Sequence, residues 1–179
     1  MDELMMEAEK HLERGEYEEA RHIYEQIIND EPDNAKAYNK LGVIAAYEKN
    51  NEEAEAYFKK ALELDPKLSS AASNLGNIFF EKEELEKARE CYEKAIDLDP
   101  DNPIPYNNLA VIYKKQKEID KFVKFYKKSV ELSNKQLRNP QKDKPGKRQR
   151  ATSSYTGTGI LGFIAVALIL YVLIRLFKG

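Results

Sequence analysis

AYNKLGVIAAYEKNNEEAEAYFKKALELDP (residues 37–66) lies without a gap on AASNLGNIFFEKEELEKARECYEKAIDLDP (residues 71–100), 34 positions further along. Leu41-Gly42 returns as Leu75-Gly76, and Ala54, Phe58, Ala61 and Pro66 return as Ala88, Tyr92, Ala95 and Pro100. Self-similarity at a fixed period of this size marks a repeat architecture, and it governs how the rest of the chain is read. One step back meets Ala20, Tyr24, Ile27 and Pro32; one step forward meets Leu109-Ala110, Phe122, Tyr126 and Ser129. Four units follow: 1–34, 35–68, 69–102 and 103–136.

Each unit reads as a pair of helices. In the first helix a small residue (Ala8, Gly42, Gly76, Ala110) allows its partner helix to come close. In the second, the alanine at 20, 54 and 88 shares a face with the aromatic four residues on. The proline near the end of the first three units stops the second helix, because it lacks an amide hydrogen and restricts the residue before it. Asn102-Pro103 reads as a cap followed by proline at the first helical position. One such pair cannot bury its own apolar face, so stacked neighbours must supply the core.

The pattern resembles the tetratricopeptide repeat family, on Leu41, Gly42, Ala54, Phe58, Ala61, Pro66 and their equivalents in the third unit, and extends over about 136 of the 179 residues. Two units depart from it. The first has Glu7 where leucine is usual, as suits a polar terminal cap, and the fourth has Phe122 for the small alanine and Asn134 for the proline. The last helix therefore has no stop signal at 134. The resemblance implies an all-α solenoid, a right-handed superhelix of four helix pairs.

The remainder differs in kind. Residues 1–101 hold 27 acidic and 13 basic side chains, a net of −14, and residues 102–179 hold 4 and 16, a net of +12; together they give the −2 of the whole. Residues 137–156 are rich in basic side chains with two prolines and a glycine, and read as a flexible linker. From Ala151 to Ile174 no residue is charged, and ILGFIAVALILYVLI (160–174) is almost wholly apolar. About 20 such residues cross a bilayer core. A transmembrane tail anchor over 157–177 is the expectation, with Lys144, Lys147, Arg148 and Arg150 against the headgroups and the lipid as a partner. Basic residues from Lys135 to Arg150 precede the span, whereas only Arg175 and Lys178 follow it, so the repeats are expected on the cytosolic face. The expected layout resembles that of tail-anchored repeat proteins, in architecture only. GTGILG (157–162) fits the glycine pattern of dinucleotide sites, but it leads into the apolar run and lacks the βαβ setting that the pattern requires.

Signs of catalysis are few. His11 and His22 both fall in the first unit, and His11 takes a position that faces the core in the family. Cys91 is the single cysteine, so no internal disulfide forms, and its place in a second helix suits packing. No C-x-x-C or H-E-x-x-H spacing occurs, so no metal, cofactor or enzyme activity is expected. The lysines of KKQKEIDKFVKFYKK (114–128) solvate the closing helix or lean on anionic lipid, and no nucleic-acid partner is required.

What remains is a binding surface. The resemblance implies that the first helix of each unit lines an inner groove, which carries onto Lys36, Asn39 and Lys40 in unit two, Asn74 and Asn77 in unit three, and Asn107 and Asn108 in unit four. An amide both donates and accepts, so spaced asparagines suit the backbone of an extended peptide. The alternative is that asparagine is merely common at these positions. The lysine and arginine positions with which some members grip a C-terminal carboxylate are not filled here. The expected role is a membrane-anchored adaptor for a protein or peptide partner; the alternative is a structural or assembly subunit of a membrane complex.

Overall fold

The computed structural model describes residues 2–138. They form eight helices and, among the described residues, no strand: α1 (Asp2–Arg14), α2 (Tyr17–Asp30), α3 (Ala35–Tyr47), α4 (Asn51–Leu64), α5 (Ser69–Glu81), α6 (Leu85–Leu98), α7 (Pro103–Lys115) and α8 (Ile119–Arg138). The anchor expected at 157–177, and Lys144, Lys147, Arg148 and Arg150 with it, lie outside the described residues. No helix among the described residues is long and apolar enough to cross a membrane.

Local chemistry sets the helix ends. Asn34 and Asn102 cap α3 and α7, each side-chain oxygen accepting from a backbone amide at 3.0 Å (Ala37 and Ile104), and Pro103 takes the first helical position of α7. Helices α2, α4 and α6 end two residues before Pro32, Pro66 and Pro100. Without such a proline, α8 runs on to Arg138, six residues past Leu132, the position equivalent to Asp30, where α2 stops.

Each first helix closes with the same left-handed residue: Gly15 (φ 78°), Lys49 (65°), Glu83 (61°) and Lys117 (63°), again 34 positions apart. In every case the amide of this residue bonds three residues back and the next amide bonds five back, for example Lys117 to Lys114 and Glu118 to Tyr113. This is the Schellman arrangement, where glycine is preferred because other residues crowd their own carbonyl. Only the first unit has the glycine. Lys117→Gly should therefore stabilise the array by about 0.5–1 kcal/mol, the relief of strain less the extra entropy of glycine in the unfolded chain. Gly15→Ala should destabilise it by a similar amount. Urea unfolding of both variants measures the two signs; a loss of stability in Lys117→Gly would contradict this account.

Packing follows the repeat. Every helix packs on its neighbours in sequence; in addition α3 touches α5 and α5 touches α7, with no comparable contact between second helices. The stack thus curves with its first helices inside. Tyr24, Phe58 and Tyr92 are buried at the heart of successive units. Gly42 faces the Phe58 ring so closely that an added Cβ would lie 2.6 Å from it, and Gly76 stands in the same relation to Tyr92. In the fourth unit the equivalent aromatic, Tyr126, is 48% exposed. Ion pairs join adjacent units: Arg21 on α2 reaches Glu48 and Glu53 beyond α3, and Lys82 after α5 reaches Glu55 on α4 at 2.6 Å.

Candidate functional site

The inner face is built by α1, α3, α5 and α7, and its asparagines meet one another. Residues facing along the stack on adjacent first helices differ by about one period, which brings their amides within bonding range. Asn74 donates from Nδ2 to Asn39 Oδ1 at 3.1 Å, and Asn39 donates from its own Nδ2 to Ser70 Oγ at 3.4 Å. Further along, Asn108 donates to Asn77 Oδ1 at 2.9 Å, and the same oxygen accepts from the Tyr92 hydroxyl at 2.9 Å. Two linked pairs result, Asn39–Asn74 and Asn77–Asn108.

This differs from a row of amides that all face solvent. Asn39 is buried, 6% exposed, and is committed to Ser70 and Asn74. Its role is to fix the α3–α5 contact. Asn74 and Asn108 are half-buried, while Asn77 and Asn107 are exposed. Each amide offers two N–H groups and two lone-pair positions. The outward-facing capacity therefore rests on Asn74 Oδ1, Asn108 Oδ1, the Asn77 amide nitrogen, and both ends of Asn107. Of the two lysines, Lys40 is half-buried and paired with Glu9 on α1 at 3.1 Å, whereas Lys36 is exposed. Lys40 is thus spent on holding α3 to α1, and Lys36 alone is left for an acidic side chain.

Aromatic rings frame the face. Tyr47 stacks on Tyr17 with centroids 3.8 Å apart and stays 62% exposed. At the other end Lys115 lies 5.7 Å above the Phe80 ring and 2.9 Å from Glu83. Val43 and Val111 add apolar surface between them. The Tyr17–Tyr47 stack and the Glu9–Lys40 pair are not legible in the sequence: both join residues 30 or 31 positions apart, short of the period of 34 that aligns equivalent positions.

Elsewhere the chemistry is structural. His11 is half-buried rather than set in the core, with Nδ1 2.5 Å from Glu16 Oε2 across the α1–α2 turn; His22 is exposed. Burial pushes the Cys91 thiol up to about 11, so it stays protonated and packs as an apolar side chain. Among the described residues no cluster of three or more histidine, cysteine or acidic side chains is placed to hold a metal.

Comparison with known proteins agrees with this architecture. No curated protein matches the sequence. Among solved structures, MamA from Desulfovibrio magneticus RS-1 is 22% identical, with a TM-score of 0.64 over 74% of this chain and 75% of that one. Pseudomonas aeruginosa pilF is 23% identical, with a TM-score of 0.69 over 74% of this chain and 61% of that one. A Thermobaculum terrenum O-GlcNAc transferase mutant is 24% identical, with a TM-score of 0.60, but only 22% of that chain is covered. At such identities the likeness is one of fold. Family models described as tetratricopeptide repeat match residues 5–69 and 105–136, and one described as TPR repeat matches residues 76–117. The helix pairs of this chain are tetratricopeptide repeats.

Proposed function

We propose that the array is a protein-binding scaffold that holds an extended segment of a partner along the inner face of α3, α5 and α7. The observation that carries this reading is the pair of linked asparagines. Asn39–Asn74 and Asn77–Asn108 fix each amide in place, so the free oxygens of Asn74 and Asn108 and the free nitrogen of Asn77 are oriented before any ligand arrives. Preorganisation of this kind lowers the ordering cost of binding. Alternating acceptors and donors suit a peptide backbone, whatever its side chains, and stacked repeats expose an extended concave surface for such a ligand. Exposed Lys36 favours an acidic residue at one end.

The same proposal places the scaffold at a membrane. Support comes from the sequence: the uncharged run from Ala151 to Ile174 and the basic residues before it. In this reading the apolar segment anchors the chain, Lys144, Lys147, Arg148 and Arg150 meet anionic headgroups, and the repeats face the cytosol to recruit a soluble partner. Protease added outside intact vesicles that display the cytosolic face should digest the repeats. Digestion only after the vesicles are opened would refute the orientation.

Photo-crosslinking tests the groove. A benzophenone side chain placed at Asn107 should give a discrete adduct with a partner in the native membrane, and the same group at Glu90, on the exposed outer side of α6, should not. Adducts from Glu90 with none from Asn107 would move the site to the outer face.

A further inference from the structure

The two ends of the stack are finished differently. Within the array, each first helix covers the preceding unit with three buried positions: Ala37, Leu41 and Ile44 in α3, and their equivalents in α5 and α7. On α1 these positions hold Glu3, Glu7 and Lys10, all exposed, so that end is closed by charge. The other end keeps apolar residues at three positions of the internal unit three, Ile119, Tyr126 and Val130 for Leu85, Tyr92 and Ile96, and adds Val123 and Leu137. Along α8, Ile119 (59% exposed), Val123 (38%), Tyr126 (48%), Val130 (41%) and Leu137 (79%) form one stripe. Their spacings of four, three, four and seven residues are those of a helix seam that faces another helix. Leu132 and Ser129, turned toward the array, are already buried. The stripe is therefore additional to the face that packs on α7. It also continues into the last turns of α8, beyond the length of any other second helix.

We propose that α8 pairs with α8 of a second copy of this chain, antiparallel and about a two-fold axis between Tyr126 and Val130. Head-to-tail stacking of copies is disfavoured, because it would press Glu3, Glu7 and Lys10 of one copy onto the apolar stripe of the next, and unpaired charges leave water reluctantly. A two-fold contact sets the same stripe against itself and closes. Antiparallel pairing opposes Tyr126 with Val130 and Ile119 with Leu137, and puts Ser133 beside Val123, so bulky residues meet smaller ones. Charge agrees: Lys121, Lys124, Lys128 and Lys135 occupy the side of α8 away from the stripe. On the flank, Lys127 faces Lys127 of the other copy, with that copy's Glu131 one turn along on the same side. Five side chains make a small contact, toward the low end of specific interfaces, so the dimer should be reversible.

Sedimentation equilibrium of the full chain in density-matched detergent should show a concentration-dependent dimer. Val123→Glu with Val130→Glu should raise its dissociation constant at least about a hundredfold while circular dichroism stays helical, because both carboxylates would be desolvated unpaired. Should those variants misfold, Val123→Ala with Val130→Ala supplies the same test with a smaller rise, about tenfold. Orientation is read with Cys91→Ser chains carrying either Tyr126→Cys or Val130→Cys. When the two are mixed and oxidised, crosslinks should form between unlike chains and not between like ones. A monomeric wild type, a dimer indifferent to the stripe substitutions, or crosslinks between like chains would each overturn the proposal.

Discussion

Tyr92→Ala is expected to cost about 3–5 kcal/mol of stability, whereas Tyr126→Ala, at the same position of the next unit, costs under about 1 kcal/mol. Both tyrosines follow the small residue of their own unit's first helix at the same distance, Gly76 for one and Ala110 for the other. Tyr92 is 2% exposed, sits in the central core with Phe58, Leu75, Leu109 and Ile112, and donates its hydroxyl to Asn77. Its truncation removes the ring's burial, leaves a cavity between units two and four, and strips one partner from the Asn77 oxygen. Tyr126 is nearly half exposed and stacks only on Phe122, at 5.7 Å. Central units of a stack also lose two interfaces when they fail and terminal units lose one. In thermal melts at submicromolar concentration, where self-association is minimal, the Tyr92 variant should melt about 10–20 °C lower and the Tyr126 variant within a few degrees of the parent. Equal losses would mean that the fourth unit is packed like the third.

Gly76→Val should be comparably damaging, by about 3 kcal/mol or more. A Cβ at this position meets two carbons of the Tyr92 ring, at 2.6 and 2.8 Å, and the Cβ of Cys91 at 3.2 Å. Relief would require α5 and α6 to separate, and their whole interface would loosen. The first unit shows how far such spreading can go: Ala8 and Tyr24 are both fully buried there, so a single methyl is accommodated. Gly76→Ala meets the same ring atoms with its one methyl and should be destabilising too, though less than Gly76→Val, the better helix propensity of alanine offsetting part of the crowding. The clash has a specific signature. Combined with Tyr92→Ala, Gly76→Val should cost less than it does alone, because the added methyls enter the space the ring has left. A coupling energy of about 1–3 kcal/mol in a double-mutant cycle of chemical unfolding is expected, and strict additivity would count against the contact.

The period of 34 made the fold legible because it fixes helix length, partner and stacking order together. Gly42, Gly76, Phe58 and Tyr92 take part in the close approach that small and aromatic residues at this spacing suggest. The asparagines were harder to read. Their positions on the first helices identify a face, but a sequence does not show whether neighbouring first helices lie close enough for amides to bond. Asn39 proved buried and Lys40 paired with Glu9, since the units pack tightly on the inner side. The exposure of Tyr126 was likewise hidden: its identity matches Tyr24 and Tyr92, and only the absence of a following unit among the described residues leaves it uncovered.

In the proposed function, outward amides of the inner face hold a partner's backbone. The affinity of the array for the segment captured by photo-crosslinking, with Asn107→Ala and Asn108→Ala compared with the parent at low and high salt, tests this. Each lost neutral hydrogen bond should cost about 0.5–1.5 kcal/mol. If the two contacts add, binding should weaken roughly five- to a hundredfold. Because these bonds are between neutral groups, salt should change the affinity little. Affinity that is untouched by both substitutions and collapses in salt would contradict the claim and assign binding to the charged outer surface.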